Sequence, residues 1–323
     1  MQRATYSYWI GLLAVTAQVM LAATTARADD ALRLAIGQRG NWETAIAEIG
    51  SRAGIFKKHA LSLQLTYTSG SGETMQTVIG GAVDIGVGVG TAGAMSAFVK
   101  GAPVRVIASA TVGSDDLYWY VKADNPLKSL KEATEKTTIA YSTAGSSTNL
   151  LVLGLIKTYG LKSQPTKTGS PPATLTAVMS GQVDVGWAAP PFGLKQLKEG
   201  KIRIVARGSE VPSTRNQTVR TVIVNAGKLA KDRPVIERFV TAYTEALDYM
   251  YASPEALKHY KDFSGIDETL AKQTMAEFYS RAALDPYRIE GLDGVMADAI
   301  ALKFLKEPLN KEQLAELFQV RKK

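Results

Sequence analysis

The segment Val78-Ile79-Gly80-Gly81-Ala82-Val83-Asp84-Ile85-Gly86 returns as Val178-Met179-Ser180-Gly181-Gln182-Val183-Asp184-Val185-Gly186. Its surroundings return with it. Thr68-Ser69-Gly70-Ser71 precedes the first copy and Lys167-Thr168-Gly169-Ser170 the second. Val104-Arg105-Val106-Ile107-Ala108 follows the first and Ile202-Arg203-Ile204-Val205-Ala206 the second. Gly70 and Gly101 are 31 positions apart, as are Gly169 and Gly200, a register that chance does not produce. Thr74 to Ile79 and Ala173 to Met179 carry apolar residues at helical spacing. The Gly-x-Val-Asp-Ile/Val-Gly run is a helix stop followed by a buried strand. Each copy therefore reads strand, helix, short strand, helix, strand.

Outward from the repeat, Leu32–Ile36 and Thr137–Tyr141 read as further strands, each leading through a Gly- or Ser-rich turn into a helix. Those helices are predicted from about Trp42 to Ala53 and from Ser147 to Tyr159. Strands alternating with helices predict mostly parallel sheets covered on both faces, and two copies predict two lobes. From Asp232 onward the pattern is helical: Pro234–Ala252, Pro254–Asp262, Asp267–Ala283, Leu292–Lys306 and Lys311–Phe318. Pro234 and Pro254 suit a first helical turn, and Asp267 is a good N-cap. These helices are expected to return to the first lobe. The lobes are then residues 29–118 with 222–323, and 119–221. They join through crossovers near Trp119–Val121 and Thr221–Val224, a two-hinged arrangement that can close on a ligand.

Composition narrows the chemistry. The chain has 323 residues and no cysteine, which excludes disulfide scaffolds, thiolate metal sites and thiol catalysis. With only His59 and His259, no multi-histidine metal site is expected, and no cofactor is. Residues 1–28 have a basic start at Arg3, an uncharged stretch from Tyr8 to Ala23, and Ala26-Arg27-Ala28 before Asp29. They read as a secretory signal peptide, and the mature protein is expected to be exported and soluble. Removing it lowers the net charge from +8 to +6. Lys and Arg are scattered, so no nucleic-acid partner is expected; the charge serves solubility and weak attraction for anions.

Ligands of open α/β sheets bind outside the carboxyl ends of the strands. The loops there are Gly37–Trp42, Ser69–Gly72, Gly88–Thr91, Ala110–Asp116, Ser142–Thr148 and Trp187–Phe192. Most precede a helix and are rich in Gly, Ser and Thr, offering N–H groups and hydroxyls to an anion. Caps and turns explain any one loop; six converging loops favour binding. Arg39 is the cationic candidate, with a plain surface arginine as the other reading. Trp42, Trp187 and Phe192 could wall a pocket, although Trp42 equally suits a helix-face core and Trp187 a lobe anchor.

Other signals carry less. Gly88-Val89-Gly90-Thr91-Ala92-Gly93 fits a dinucleotide fingerprint. It follows the second strand of its lobe, however, and its counterpart is Gly186-Trp187-Ala188-Ala189. Ser142–Thr148 lacks a P-loop lysine, and no nucleophile elbow is present. Asp84 and Asp184 occupy equivalent repeat positions and read as buried structural carboxylates bonded to backbone N–H groups. His59 reads as a charge at a helix C-terminus.

Ala53-Gly54-Ile55-Phe56-Lys57-Lys58-His59-Ala60-Leu61, Ser69–Gly72, Gly80–Gly86, Lys100–Ile107 and Gly181–Val185 together resemble periplasmic solute-binding proteins of the nitrate, taurine and alkanesulfonate importers. The resemblance covers about Leu32 to Phe318. It implies a two-lobe, type II periplasmic binding protein, not an enzyme, that delivers solute to an ABC permease and is expected to be a monomer. Carried over, the ligand-contacting positions are Arg39, Asn41, Trp42, Ser71, Gly72, Thr91, Ser114, Ser146, Ser147 and Thr148, with Trp187 and Pro190 in the second-lobe loop. Many relatives have an acid before proline in that loop; Ala188-Ala189-Pro190 has none, which counts against recognition of an amine. An aliphatic or aromatic body carrying a sulfonate or carboxylate is the expected solute. A pyrimidine-type thiamine precursor is the alternative, and an exported enzyme a weaker one.

Overall fold

A computed structural model describes residues 29–321; the expected signal peptide lies outside them. The first half of the chain runs β1 (Asp30–Gly37), α1 (Ile46–Arg52), α2 (Ile55–Lys58), β2 (Leu61–Thr68), α3 (Ser71–Ile79), β3 (Ile85–Gly90), α4 (Thr91–Val99), β4 (Val104–Val112), β5 (Tyr118–Lys122), β6 (Thr138–Tyr141) and α5 (Ser147–Tyr159). It continues through β7 (Gln164–Lys167), α6 (Pro171–Met179), β8 (Gly186–Ala188), α7 (Leu194–Lys198), β9 (Ile202–Arg207) and β10 (Thr218–Asn225). The tail is helical: α8 (Ala226–Ala252), α9 (Pro254–Ser264), α10 (Glu268–Phe278), α11 (Leu292–Ala301) and α12 (Lys311–Leu317).

The first sheet has the order β2-β1-β3-β10-β4. β1 runs parallel to β2 and β3, and β10 runs antiparallel to both β3 and β4. In the second lobe β6 and β7 pair in parallel, and β5 lies antiparallel between β8 and β9. A parallel bridge between Ile139 and Val185 joins these two pieces. The second order is thus β7-β6-β8-β5-β9, which repeats the first. In each lobe the one antiparallel strand is the strand that has just crossed from the other lobe. Residues 113–117 and 208–217 make the crossovers. β10 starts at Thr218, so residues 218–221, expected in the second lobe, pair in the first sheet, and Tyr118 pairs in the second.

Both faces of the first sheet are covered. Leu32, Leu34 and Ile36 pack under α1, α8 and α9. Ala35 and Ile223 face α3, α4, α11 and α12. The second lobe has its own core around Trp119, Leu151, Val185 and Trp187. Asp84 accepts the Arg33 N–H at 2.9 Å and Asp184 the Thr138 N–H at 2.8 Å, the structural roles expected of the repeated acids. Burial opposes the charge of Asp84, but the side-chain and backbone donors of Arg33 outweigh it and hold the carboxyl below its usual range. Asp184 is exposed rather than buried.

Some helix ends differ from expectation. α1 starts at Ile46, not Trp42, because the Thr44 hydroxyl donates to the Gln38 and Asn41 carbonyls and holds that loop as a turn. α10 stops at Phe278, where Tyr279 turns extended, and α11 stops at Ala301, two residues before Lys303 at φ 64°.

Candidate interlobe binding site

The two lobes meet along a seam made by small residues. The Gly72 N–H donates to Thr143 Oγ1 at 2.9 Å across it. A Cβ at Gly72 would lie 3.0 Å from the Ala144 carbonyl oxygen, and one at Gly90 would lie 3.0 Å from Ser147 N and against the Gly145 carbonyl. Gly93 meets the same carbonyl. Two of the three glycines of the apparent dinucleotide motif, Gly90 and Gly93, therefore serve close approach of the lobes. Between Thr91, Ser146 and Ser147 only about 10 Å³ is free, no more than one water occupies.

Half of the predicted contact residues lie along this seam, and most of their hydroxyls are already engaged. Ser71 Oγ accepts the Gly90 N–H at 2.8 Å. Thr91 donates to the Thr218 carbonyl. Ser146 caps α5 by accepting the Asn149 N–H, and Thr148 Oγ1 accepts the Ser142 N–H and bonds the hydroxyls of Ser142 and Ser146. Ser147 is buried in the first turn of α5. Ser114 lies elsewhere: its hydroxyl bonds Thr214 at 2.9 Å and ties one crossover to the other.

Three predicted residues fit the other of their two readings. Arg39 is exposed, its guanidinium 4.4 Å from the Phe263 ring centroid and 5.7 Å from that of Tyr67. Tyr67 of β2 and Phe263 of α9, both in the first lobe, set its direction. Trp42 is wholly buried; it packs edge-on against Tyr251 and Tyr260, and its indole N–H donates to Tyr251. It is a core anchor. Trp187 is also wholly buried in the second core, but its indole N–H has no hydrogen-bond partner among the described residues. Asn41 is buried with its amide donating to Gln38 at 3.2 Å, and its Oδ1 has no hydrogen-bond partner among the described residues. The Pro190 carbonyl accepts the Tyr279 hydroxyl at 3.2 Å, another link between the lobes.

The strongest electrostatic feature was not anticipated. Arg220 on β10 is buried between Asp116, at 2.6 Å, and Glu43, at 3.8 Å. It also donates to Thr111 at 3.3 Å. Burial raises the Glu43 carboxyl above its ordinary range, with Arg220 pulling down and Asp116 pushing up; Asp116 is raised for the same first reason. In sequence the three are isolated: Glu43 resembles a first-turn helix acid, and only the crossovers bring Asp116 and Arg220 together.

Beside Pro190 a cavity of about 660 Å³ spans both lobes. Tyr120, Leu175, Pro191 and Phe192 wall it from the second lobe, Ile266 and Leu270 from the first, and Lys195 and Lys198 stand at its edge. Gly40 links it to the seam, a Cβ there lying 3.2 Å from the Phe192 ring. No described helix is long and apolar enough to cross a membrane, and no described cluster of acids and histidines could hold a metal.

Comparison with known proteins agrees with this architecture. The alkanesulfonate-binding protein SsuA of Xanthomonas axonopodis pv. citri, bound to MOPS, superposes with a TM-score of 0.75 at 15% identity, over 90% of this chain and 98% of that one. The aliphatic sulphonate binding protein SsuA of Escherichia coli gives 0.66 at 18% identity, over 91% and 93%. The nitrate-binding protein NrtA of Synechocystis PCC 6803 gives 0.69 at 11%, over 88% and 84%. At these identities the likeness establishes the fold, that of the periplasmic binding proteins. No curated protein matches the chain in sequence. A family model does: the one described as NMT1/THI5 like matches residues 44–257. That stretch runs from the Thr44 turn through the repeat and both crossovers into α9, and the chain belongs to the NMT1/THI5-like family.

Proposed function

We propose that the protein is the solute-binding component of an ABC importer. It captures a small organic anion between its lobes and delivers it to a permease, without making or breaking a bond. It works in the periplasm after export, as a monomer, with lobes that divide at residues 113–117 and 208–217. The observation that carries this reading is the cavity of about 660 Å³ walled by both lobes. Its size suits a small metabolite, and a ligand that touches both walls favours the closed arrangement. The apolar walls suit an aliphatic or aromatic body. Lys195 and Lys198 line it beside Glu199 and Asp267, and the two lysines are the groups that would meet a sulfonate or carboxylate.

A second reading is favoured by the buried acids. A pyrimidine-type thiamine precursor calls for a buried carboxylate, which the second-lobe loop lacks. Glu43 and Asp116 supply it from the first lobe and the crossover, each with one oxygen that has no hydrogen-bond partner among the described residues.

A thermal-shift screen decides between these. Residues 29–323, unfolded and refolded to strip carried solute, are tested against nitrate, taurine, alkane- and arylsulfonates, aromatic carboxylates and pyrimidines. A ligand at 100 times its dissociation constant adds about 2.7 kcal/mol of stability. Stabilisation by one anion class supports the first reading. Stabilisation by pyrimidines alone supports the second, and silence throughout refutes both.

A further inference from the structure

We infer that closing the lobes takes up one proton at Glu43, so that capture and release of solute are linked to pH. The inference rests on the proposed opening and closing of the lobes, and it follows from a charge count. Glu43, Asp116 and Arg220 are all buried, with side-chain exposures of 2%, 2% and 7%. Two carboxylates face one guanidinium, which leaves one uncompensated negative charge in the protein interior. An unpaired buried charge is neutralised rather than tolerated. Asp116 holds the short ion pair at 2.6 Å, whereas Glu43 stands 3.8 Å from Arg220 and its Oε2 has no hydrogen-bond partner among the described residues. The proton therefore belongs on Glu43.

The other titratable groups around Glu43 are Tyr279, Tyr243 and Tyr251 of α8, and Tyr260 of α9. Burial pushes all four phenols up, Tyr251 to about 12, so none competes near neutrality. The link to closure is geometric. Tyr279, beside Glu43, donates to the second-lobe Pro190 carbonyl at 3.2 Å, and Gly40 of the same loop as Glu43 lies under Phe192. Separating the lobes removes that cover, admits water, and returns Glu43 to the usual glutamate range near 4.3.

The chain has no cysteine, so exposed Glu135 and Glu255, one on each lobe, can be changed to cysteine and spin-labelled. Dipolar spectroscopy of the unliganded protein then counts closed and open molecules. Above the ordinary glutamate range the closed-to-open ratio should fall about tenfold per pH unit until the proton is lost. Glu43→Gln, neutral at every pH, should remove that slope. Asp116→Asn should remove it too, by leaving one acid against Arg220; it serves as the second variant if Glu43→Gln does not fold by circular dichroism. Two distances with no pH dependence, or an unchanged slope in either folded variant, overturn the inference. A single distance at every pH overturns the lobe motion itself, and the proton linkage with it.

Discussion

Replacing Gly93 or Gly90 by alanine tests whether the glycine seam is the surface on which the lobes close. Gly93 lies in the first turns of α4, where alanine is the better helix former by about 1 kcal/mol. Gly90 has φ −60° and ψ 127°, which alanine adopts freely. Neither change should harm the first lobe itself. Across the seam both are obstructed. The new methyl at position 90 would sit 3.0 Å from Ser146 C and Ser147 N, and at position 93 it would press on the Gly145 backbone. These are backbone atoms that cannot rotate away. Overpacking of this kind costs about 1–3 kcal/mol, charged here to the closed state alone. Capture of any solute that stabilises the wild type should weaken about 5- to 150-fold. Small-angle scattering should give a larger radius of gyration than the wild type, while the melting temperature without solute stays level or rises. Unchanged affinity and an unchanged radius would refute the assignment. A falling melting temperature with normal affinity would show that the glycines serve the fold of the first lobe.

Thr143→Val removes the acceptor of the Gly72 N–H and should weaken solute binding about fivefold, the worth of one neutral hydrogen bond near 1 kcal/mol, read by calorimetry. Arg220→Met leaves the buried Asp116 carboxylate without its ion-pair partner and should cost about 3–5 kcal/mol in denaturant unfolding; a cost below 1 kcal/mol would mean that Asp116 is solvated. Arg39→Ala should leave anion affinity within about threefold, since its guanidinium stacks on exposed-side aromatics for about 0.5–1 kcal/mol; a loss of 100-fold would return Arg39 to the site. Asp84 has its carboxyl held low in the folded state, so its contribution is complete above the unfolded value near 3.9 and is lost as pH falls through the lower folded value. Acid unfolding of Asp84→Asn should accordingly be shallower than that of the wild type below about pH 4.

The fold was legible because duplication repeats its punctuation. The two Gly-x-Val-Asp runs marked helix stops and buried strands in both lobes, and α5 begins and ends where the Ser147–Tyr159 pattern predicts. What periodicity could not show was competition from side chains. Thr44 delays α1 by capturing carbonyls that a helix would use, and nothing in the apolar spacing of that stretch reveals it. The site was legible as loops, less so as residues. Ser71, Gly72 and Ser146 do meet at the seam, because strand ends and helix starts fix their place. The direction of Arg39 carries no local mark, because it is set by Phe263, 224 positions away in sequence. Arg220 and Asp116, 104 positions apart, carry no local mark of their pairing.

The interleaved sheets also set an order of assembly. β3 and β4 of the first sheet are not neighbours; β10 lies between them. A chain emerging from its amino end has made both edges of that gap by Val112, yet the filling strand arrives only with residues 218–225. The second lobe is different: all five of its strands fall within residues 118–207, so it can form as one continuous insert. The first lobe then waits, its central position vacant, until the insert is complete, and long-range pairing of this kind is slow. A nascent chain cut between Arg207 and Thr218 would hold a finished second lobe on an unfinished first one.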